Sequence, residues 1–192
     1  MNARDAILEA VRRNAPPARA LPALPVFPLP AGGPDGRVAA FAARASAGGA
    51  RVVHATQDVK AAIRAAYPDA ERVASAALDR MAGNVELGPD AREAATLDLF
   101  VCEGVLGVAE NAAVWLPESR IGSRAAPFLA PHVAVVLERA AIVATMHDAY
   151  RALGEPEGFG VFVAGPSKTA DIEQSLVIGA HGPVSLAVIL VG

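Results

Sequence analysis

The stretch that most limits what this chain can fold into is residues 160–183. It opens with Gly160, runs through Val161, Phe162, Val163 and Ala164, and meets Gly165-Pro166. Four apolar residues rich in β-formers, with glycine on both sides, fit a strand buried on both faces. Gly165-Pro166 stops that strand. Ser167, Lys168 and Thr169 then precede Asp171 and Glu173, acids that suit the first turn of a helix. The expected order is strand, tight turn, helix N-terminus. In an open α/β sheet such an edge collects ligands, and free N–H groups there suit an anion. A nucleotide P-loop is excluded. Gly160 and Gly165 have its spacing, but Pro166 has no N–H for a phosphate and Lys168 stands two places late. The competing reading is a capped turn that binds nothing.

The rest of the chain repeats the alternation of strand and helix. Residues 3–13 carry Ile7, Leu8 and Val11 on one side of a short helix. Prolines at 16, 17, 22, 25, 28, 30 and 34 make an extended arm. Its Leu21, Leu24, Val26, Phe27 and Leu29 argue that it lies along the domain or along a partner subunit. The arm divides the chain into an N-terminal helix and arm, 1–34, and an α/β domain, 35–192. Asp35 caps the next helix, with Val38, Phe41, Ala42 and Ala45 as its buried stripe and Gly48-Gly49 as its end. Residues 51–54 read as a strand. Thr56 caps a helix with Val59, Ile63 and Ala66 inward, and residues 71–74 read as a second strand. This βαβ rhythm argues for a parallel sheet with helices on its faces.

Residues 75–96 hold loop signals at Asn84, Gly88 and Pro89. Residues 97–102 form a strand pattern, 103–110 an irregular glycine-rich turn, and 112–116 another strand. Residues 117–131 show no regular pattern and contain Arg120 and Arg124. Residues 133–137 and 141–144 are strands. Thr145 and Asp148 resemble a capping box, with Met146, Ala149, Tyr150 and Leu153 facing inward behind it and Gly154 closing the helix.

Composition narrows the function classes. Hydrophobic residues make up 53% and charged residues 19% of 192, which suits one domain with a sizeable core. The net charge of −3, with no basic patch, argues against a nucleic-acid partner. No apolar stretch is long enough to span a membrane and the N-terminus does not read as a signal peptide, so a soluble cytoplasmic protein is expected. The one cysteine, Cys102, rules out an internal disulfide framework and a cysteine-ligated iron–sulfur cluster within this chain. No histidine pair has zinc spacing and there is no Gly-x-Ser-x-Gly elbow, so neither a metal nor a serine hydrolase is expected, and no cofactor is assigned.

Among the histidines, His181 stands out. It lies in Gly179-Ala-His-Gly-Pro183, where flanking glycines let the backbone turn sharply and expose the imidazole as an acid/base or hydrogen-bond donor. The alternative is a histidine that bonds a neighbouring loop. Ser167, Lys168 and Thr169 offer hydroxyls and charge to an anion, or else cap a helix. Asp171 and Glu173 stand two apart and point to different sides, so they form no facing carboxylate pair.

The residues 165–173, Gly-Pro-Ser-Lys-Thr-Ala-Asp-Ile-Glu, continue into 176–183, Leu-Val-Ile-Gly-Ala-His-Gly-Pro, and the strand 186–191. This ordered series resembles the C-terminal signature of the LUD domain, the lactate-utilization protein C family. The resemblance extends back to about Leu97. It implies a NagB/RpiA/CoA-transferase-like α/β sandwich around a mainly parallel sheet. It also implies a role in oxidation of L-lactate to pyruvate beside sister subunits that carry iron–sulfur clusters, with this chain carrying none. In many relatives the stretch matching 109–113 reads Ala-Glu-Thr-Gly-Thr. Here Ala109 and Glu110 match, while Asn111, Ala112 and Ala113 replace the glycine and both hydroxyls.

The resemblance marks Glu110 and His181 as the catalytic or ligand-orienting pair. Gly165, Ser167, Lys168, Thr169, Asp171 and Gly182 become the ligand-binding turn for a small carboxylate or phosphorylated ligand. The expected function is an accessory or substrate-binding subunit. The alternative is a stand-alone enzyme of the same fold group acting on a small anionic or phosphorylated substrate.

Overall fold

The computed structural model describes residues 2–20, 22–23, 32–55, 58–77, 79–155, 158–170 and 176–192. The fold is α/β around a mainly parallel sheet. Five strands, numbered along the chain, make that sheet: β1 (Arg51–Ala55), β2 (Val73–Ser75), β3 (Leu99–Gly104), β6 (His132–Glu138) and β11 (Ser185–Val191). They run parallel in the order β1-β11-β6-β3-β2. β1 and β2, consecutive strands in the chain, lie at opposite edges, so the connection that contains helix α3 (Val59–Ala66) passes from one edge of the sheet to the other.

The three central strands are long apolar runs because both their faces are covered. Period-two alternation sends Phe100, Cys102, Val133, Val135, Leu137, Leu186, Val188 and Leu190 to one face. Leu99, Val101, Ala134, Val136, Ala187 and Ile189 go to the other, where Ile63 of α3 joins them. The first face receives helix α2 (Gly33–Ala47) through Val38, Phe41 and Ala45, together with a second sheet. That second sheet has the order β7-β4-β5-β8, from β4 (Leu106–Val108), β5 (Val114–Pro117), β7 (Ile142–Val143) and β8 (Gly160–Val163). Val114 and Leu116 face the parallel sheet, while Leu106, Val108 and Trp115 face helix α6 (Met146–Leu153). The layers are therefore α3, parallel sheet, small sheet with α2, and α6.

Several expectations are corrected. Residues 103–110 are not an irregular turn, because β4 lies within them and is fully buried. Residues 117–131 hold two single-turn helices, α4 (Glu118–Ile121) and α5 (Ala126–Leu129). The strand at 160–163 is half-buried rather than covered on both faces, and it edges the small sheet antiparallel to β5. No helix starts at Ser167. Residues 168–170 form β9 (Lys168–Ala170), paired antiparallel with β10 (Leu176–Ile178). The β-branched Thr169 and Val177 sit opposite each other there, a pairing that favours a ladder over a helix.

Tyr150 is 62% exposed rather than inward. α2 is capped by Gly32, with Asp35 in its first turn, and α3 is capped by Asp58. The expected Thr56 cap lies outside the described residues. Helix α1 (Ala3–Arg13) is present and buries none of its residues. The described arm residues 15–20 and 22–23 have no regular structure. Among the described residues no helix is long and apolar enough to cross a membrane.

Candidate functional site

The turn after β8 and the turn before β11 are zipped together. Ser167 N–H donates to the Pro183 carbonyl at 2.8 Å, and Gly179 N–H donates to the Ser167 carbonyl at 3.0 Å. Gly165 holds φ +75°, and a methyl there would come within 2.8 Å of the Gly48 carbonyl oxygen. Only glycine suits both demands. A methyl on Gly182 would lie 3.1 Å from the Ser167 Cβ, so these two sequence-predicted residues are neighbours. A methyl on Gly49 would lie 3.4 Å from Lys168 Nζ, which places that ammonium beside the C-terminal end of α2, where cations are favoured. Thr169 Oγ1 is buried without a partner among the described residues. His181 is exposed on the same double turn. Asp171 lies outside the described residues.

Glu110 is employed elsewhere. Its carboxylate accepts from Met146 N–H at 2.9 Å, at the first turn of α6. No hydrogen bond among the described residues joins it to Ser167, Lys168 or His181. The register Val114↔Val163 does put the 109–113 turn at the same end of the small sheet as Gly165. Within that turn Asn111 Oδ1 accepts from Ala113 N–H at 3.0 Å, and Ala112 takes φ 58°. The alanine therefore stands in a left-handed conformation that glycine adopts without cost.

The expected capping box is complete. Thr145 Oγ1 donates to Asp148 Oδ2 at 2.8 Å, and Thr145 N–H reaches the same oxygen at 3.2 Å. The Thr145 hydroxyl, chiefly, holds the Asp148 carboxyl below its ordinary range. A lowered carboxylate stabilises the fold above its ordinary value, and that contribution fades as pH falls through the lowered one. Asp148→Asn should cost about 1 kcal/mol at neutral pH. In urea titrations from about pH 7 to about pH 3 the gap to wild type should close at the acid end; a gap that stays constant would contradict this account.

A cleft lies at the C-terminal edge of the parallel sheet, with a cavity of about 530 Å³. It collects an alternating row of charges. Arg120 Nη1 is 2.9 Å from Glu103 Oε2, Arg80 Nε is 3.6 Å from Glu103 Oε1, and Arg80 Nη2 is 2.6 Å from Glu138 Oε1. Asp79 also lines the cleft. Glu103 stands on β3 and Glu138 ends β6, so neighbouring strand ends aim them into one space. The side chain of Arg120 is 56% exposed and gives Glu103 one nitrogen, leaving its other donors toward the cleft. Sequence reasoning did not bring these four residues together, because they come from four separate segments. The only available signal was a charge immediately after each apolar strand run, at Glu103 and Glu138.

The fold and this cleft define a layered α/β protein that presents paired guanidinium groups where parallel strands end, the position at which α/β sheets take ligands. The LUD domain family model matches residues 75–191, and the chain belongs to that family. It is 31% identical over 105 residues to lactate utilization protein C of Shouchella clausii, covering 52% of this chain and 46% of that one. It is 36% identical over 91 residues to lactate utilization protein C of Bacillus velezensis, covering 44% and 38%. The chain thus spans under half the length of these relatives. In fold it is similar to a crystal structure of a DUF162 family protein from Deinococcus radiodurans. The TM-score is 0.62 at 20% identity, covering 83% of this chain and 98% of that one.

Proposed function

We propose that the chain is an accessory, substrate-binding subunit of a system that oxidises L-lactate to pyruvate, and that the substrate carboxylate binds Arg80 and Arg120. Relatives named lactate utilization protein C, similar over about half of this chain, support the assignment to lactate. The observation that carries the site is the pair of guanidiniums converging on Glu103 at the C-terminal strand edge. Guanidinium forks match carboxylates in shape and charge. A small carboxylate entering the cleft takes the free donors of Arg120, and Glu103 keeps both arginines aligned.

Oxidation of lactate releases two electrons and two protons, and the electrons need an acceptor. Cys102, the single cysteine, is fully buried, and burial pushes its thiol up to about 12. It supplies no thiolate for a cluster. Sister iron–sulfur subunits therefore receive the electrons in this reading.

The test is a thermal-shift titration with L-lactate and pyruvate. It compares wild type, an Arg80→Ala/Arg120→Ala variant and a Ser167→Ala/Lys168→Ala variant. Saturable stabilisation of wild type and of the 167/168 variant, lost in the arginine variant, is the expected result. Stabilisation that survives removal of both arginines, or none in wild type, overturns the cleft as the site.

A further inference from the structure

The opposite edge of the parallel sheet carries a second cavity of about 360 Å³, where β1, β6 and β11 begin. Ser185 and His132 are register partners there, and His132 Nδ1 lies 2.8 Å from Ser185 Oγ. Ser185 Oγ lies 3.2 Å from the Tyr67 oxygen, and the Tyr67 hydroxyl is 3.1 Å from the Val133 carbonyl. The direction of this chain is fixed from its far end. A carbonyl only accepts, so Tyr67 donates to Val133. The Tyr67 oxygen then receives the Ser185 hydroxyl, beside the Ala187 N–H. The Ser185 oxygen in turn receives Nδ1–H of His132. The neutral imidazole therefore carries its proton on Nδ1, and Nε2 is left as a bare acceptor.

His132 lines the cavity with Nδ1 turned to Ser185, so Nε2 is the nitrogen available to a ligand. Two carboxylates, Asp69 and Asp98, line the same space. Asp98 Oδ2 accepts from the Glu71 and Arg72 N–H groups, and among the described residues no hydrogen bond reaches Oδ1. Among the described residues the one cation lining the cavity is Arg51, seated 5.6 Å over the Tyr67 ring with one nitrogen given to the Ala66 carbonyl. The walls thus offer three acceptors and one guanidinium.

We propose that this cavity is a ligand site for a small α-amino acid, its carboxylate on Arg51 and its ammonium on His132 Nε2, Asp98 and Asp69. A 2-hydroxy acid has the same carboxylate but offers only a neutral hydroxyl donor, whereas an ammonium makes charge-assisted bonds to the carboxylates. The site is independent of the arginine cleft at the other edge.

The test uses three isosteres that differ only at Cα: L-alanine, L-lactate and propionate. Each is titrated into the full chain at about pH 8. The readout is the side-chain nitrogen resonances of His132, which also report the tautomer. L-alanine should shift them saturably with Nδ1 remaining protonated, about tenfold or more tighter than lactate, with propionate weaker still. In Asp69→Asn, an exposed position that leaves the fold intact, the preference for alanine over lactate should shrink. Lactate binding as tightly as alanine, or no shift at His132 with any of the three, overturns the proposal.

Discussion

Phe41→Ala should lower unfolding free energy by about 3–5 kcal/mol, which for a chain of this size is a fall in melting temperature on the order of 10 °C. Phe41 is fully buried where α2, the parallel sheet and the small sheet meet. Its ring passes so near Gly107 of β4 that a methyl on that glycine would stand 3.3 Å away. Truncation leaves a cavity walled by two sheets that cannot collapse independently, so the upper part of the range is expected. Urea denaturation of Phe41→Ala and Phe41→Leu separates the terms: leucine restores most of the buried area and should recover over half of the loss. An alanine variant within about 1 kcal/mol of wild type would mean that α2 does not plug this layer.

Gly160→Val should be nearly as damaging, by overfilling rather than emptying. Gly160 opens β8 opposite Pro117, and the Trp115 indole lies against it. A methyl on Gly160 would stand 2.2–2.9 Å from three indole carbons, far inside van der Waals contact. The indole has little room to retreat, because Phe162 packs 4.7 Å from it and it belongs to a buried cluster with Leu106, Val108 and Ala149. A loss of about 3 kcal/mol or more is expected. The diagnostic is the cycle with Trp115→Leu: if the clash is with the indole, the second substitution should rescue part of the first, giving a coupling of roughly 1 kcal/mol or more. Strict additivity would place the strain elsewhere.

These positions also show what the sequence disclosed and what it hid. Residues 97–102, 133–137 and 186–191 were legible as strands because a strand covered on both faces is apolar throughout, and no helix of that length would be. The stripe Val38, Phe41, Ala45 was legible from its period. β4 was hidden because Gly104 and Gly107 read as turn residues. They are small for packing instead, since a methyl on Gly107 would meet Leu137 at 2.7 Å. The β9–β10 ladder was hidden because Ser167, Thr169, Asp171 and Glu173 mimic a helix start, while the partner strand lies beyond the reach of a local pattern. The sites were hidden for a related reason. Arg80, Glu103, Arg120 and Glu138 converge only through strand order, and His132 meets Ser185 only through the parallel register. The turn of Ser167 lies beside that of Gly182, while the Glu110 carboxylate is bonded at the first turn of α6.

The place of β11 has a consequence for how the chain is made. It is the latest strand in the sequence, yet it stands between β1 and β6, the first and second positions of the finished order being filled by the earliest and the latest of these strands. Until Ser185–Val191 has left the ribosome, β1 has no neighbour and β6 offers an open apolar edge. Pairing across so many residues is slow, and exposed edges recruit other chains. A nascent chain of this family member therefore waits, half-sheeted and adhesive, for its final strand, and a stop codon just before Ser185 would produce an aggregate rather than a smaller domain.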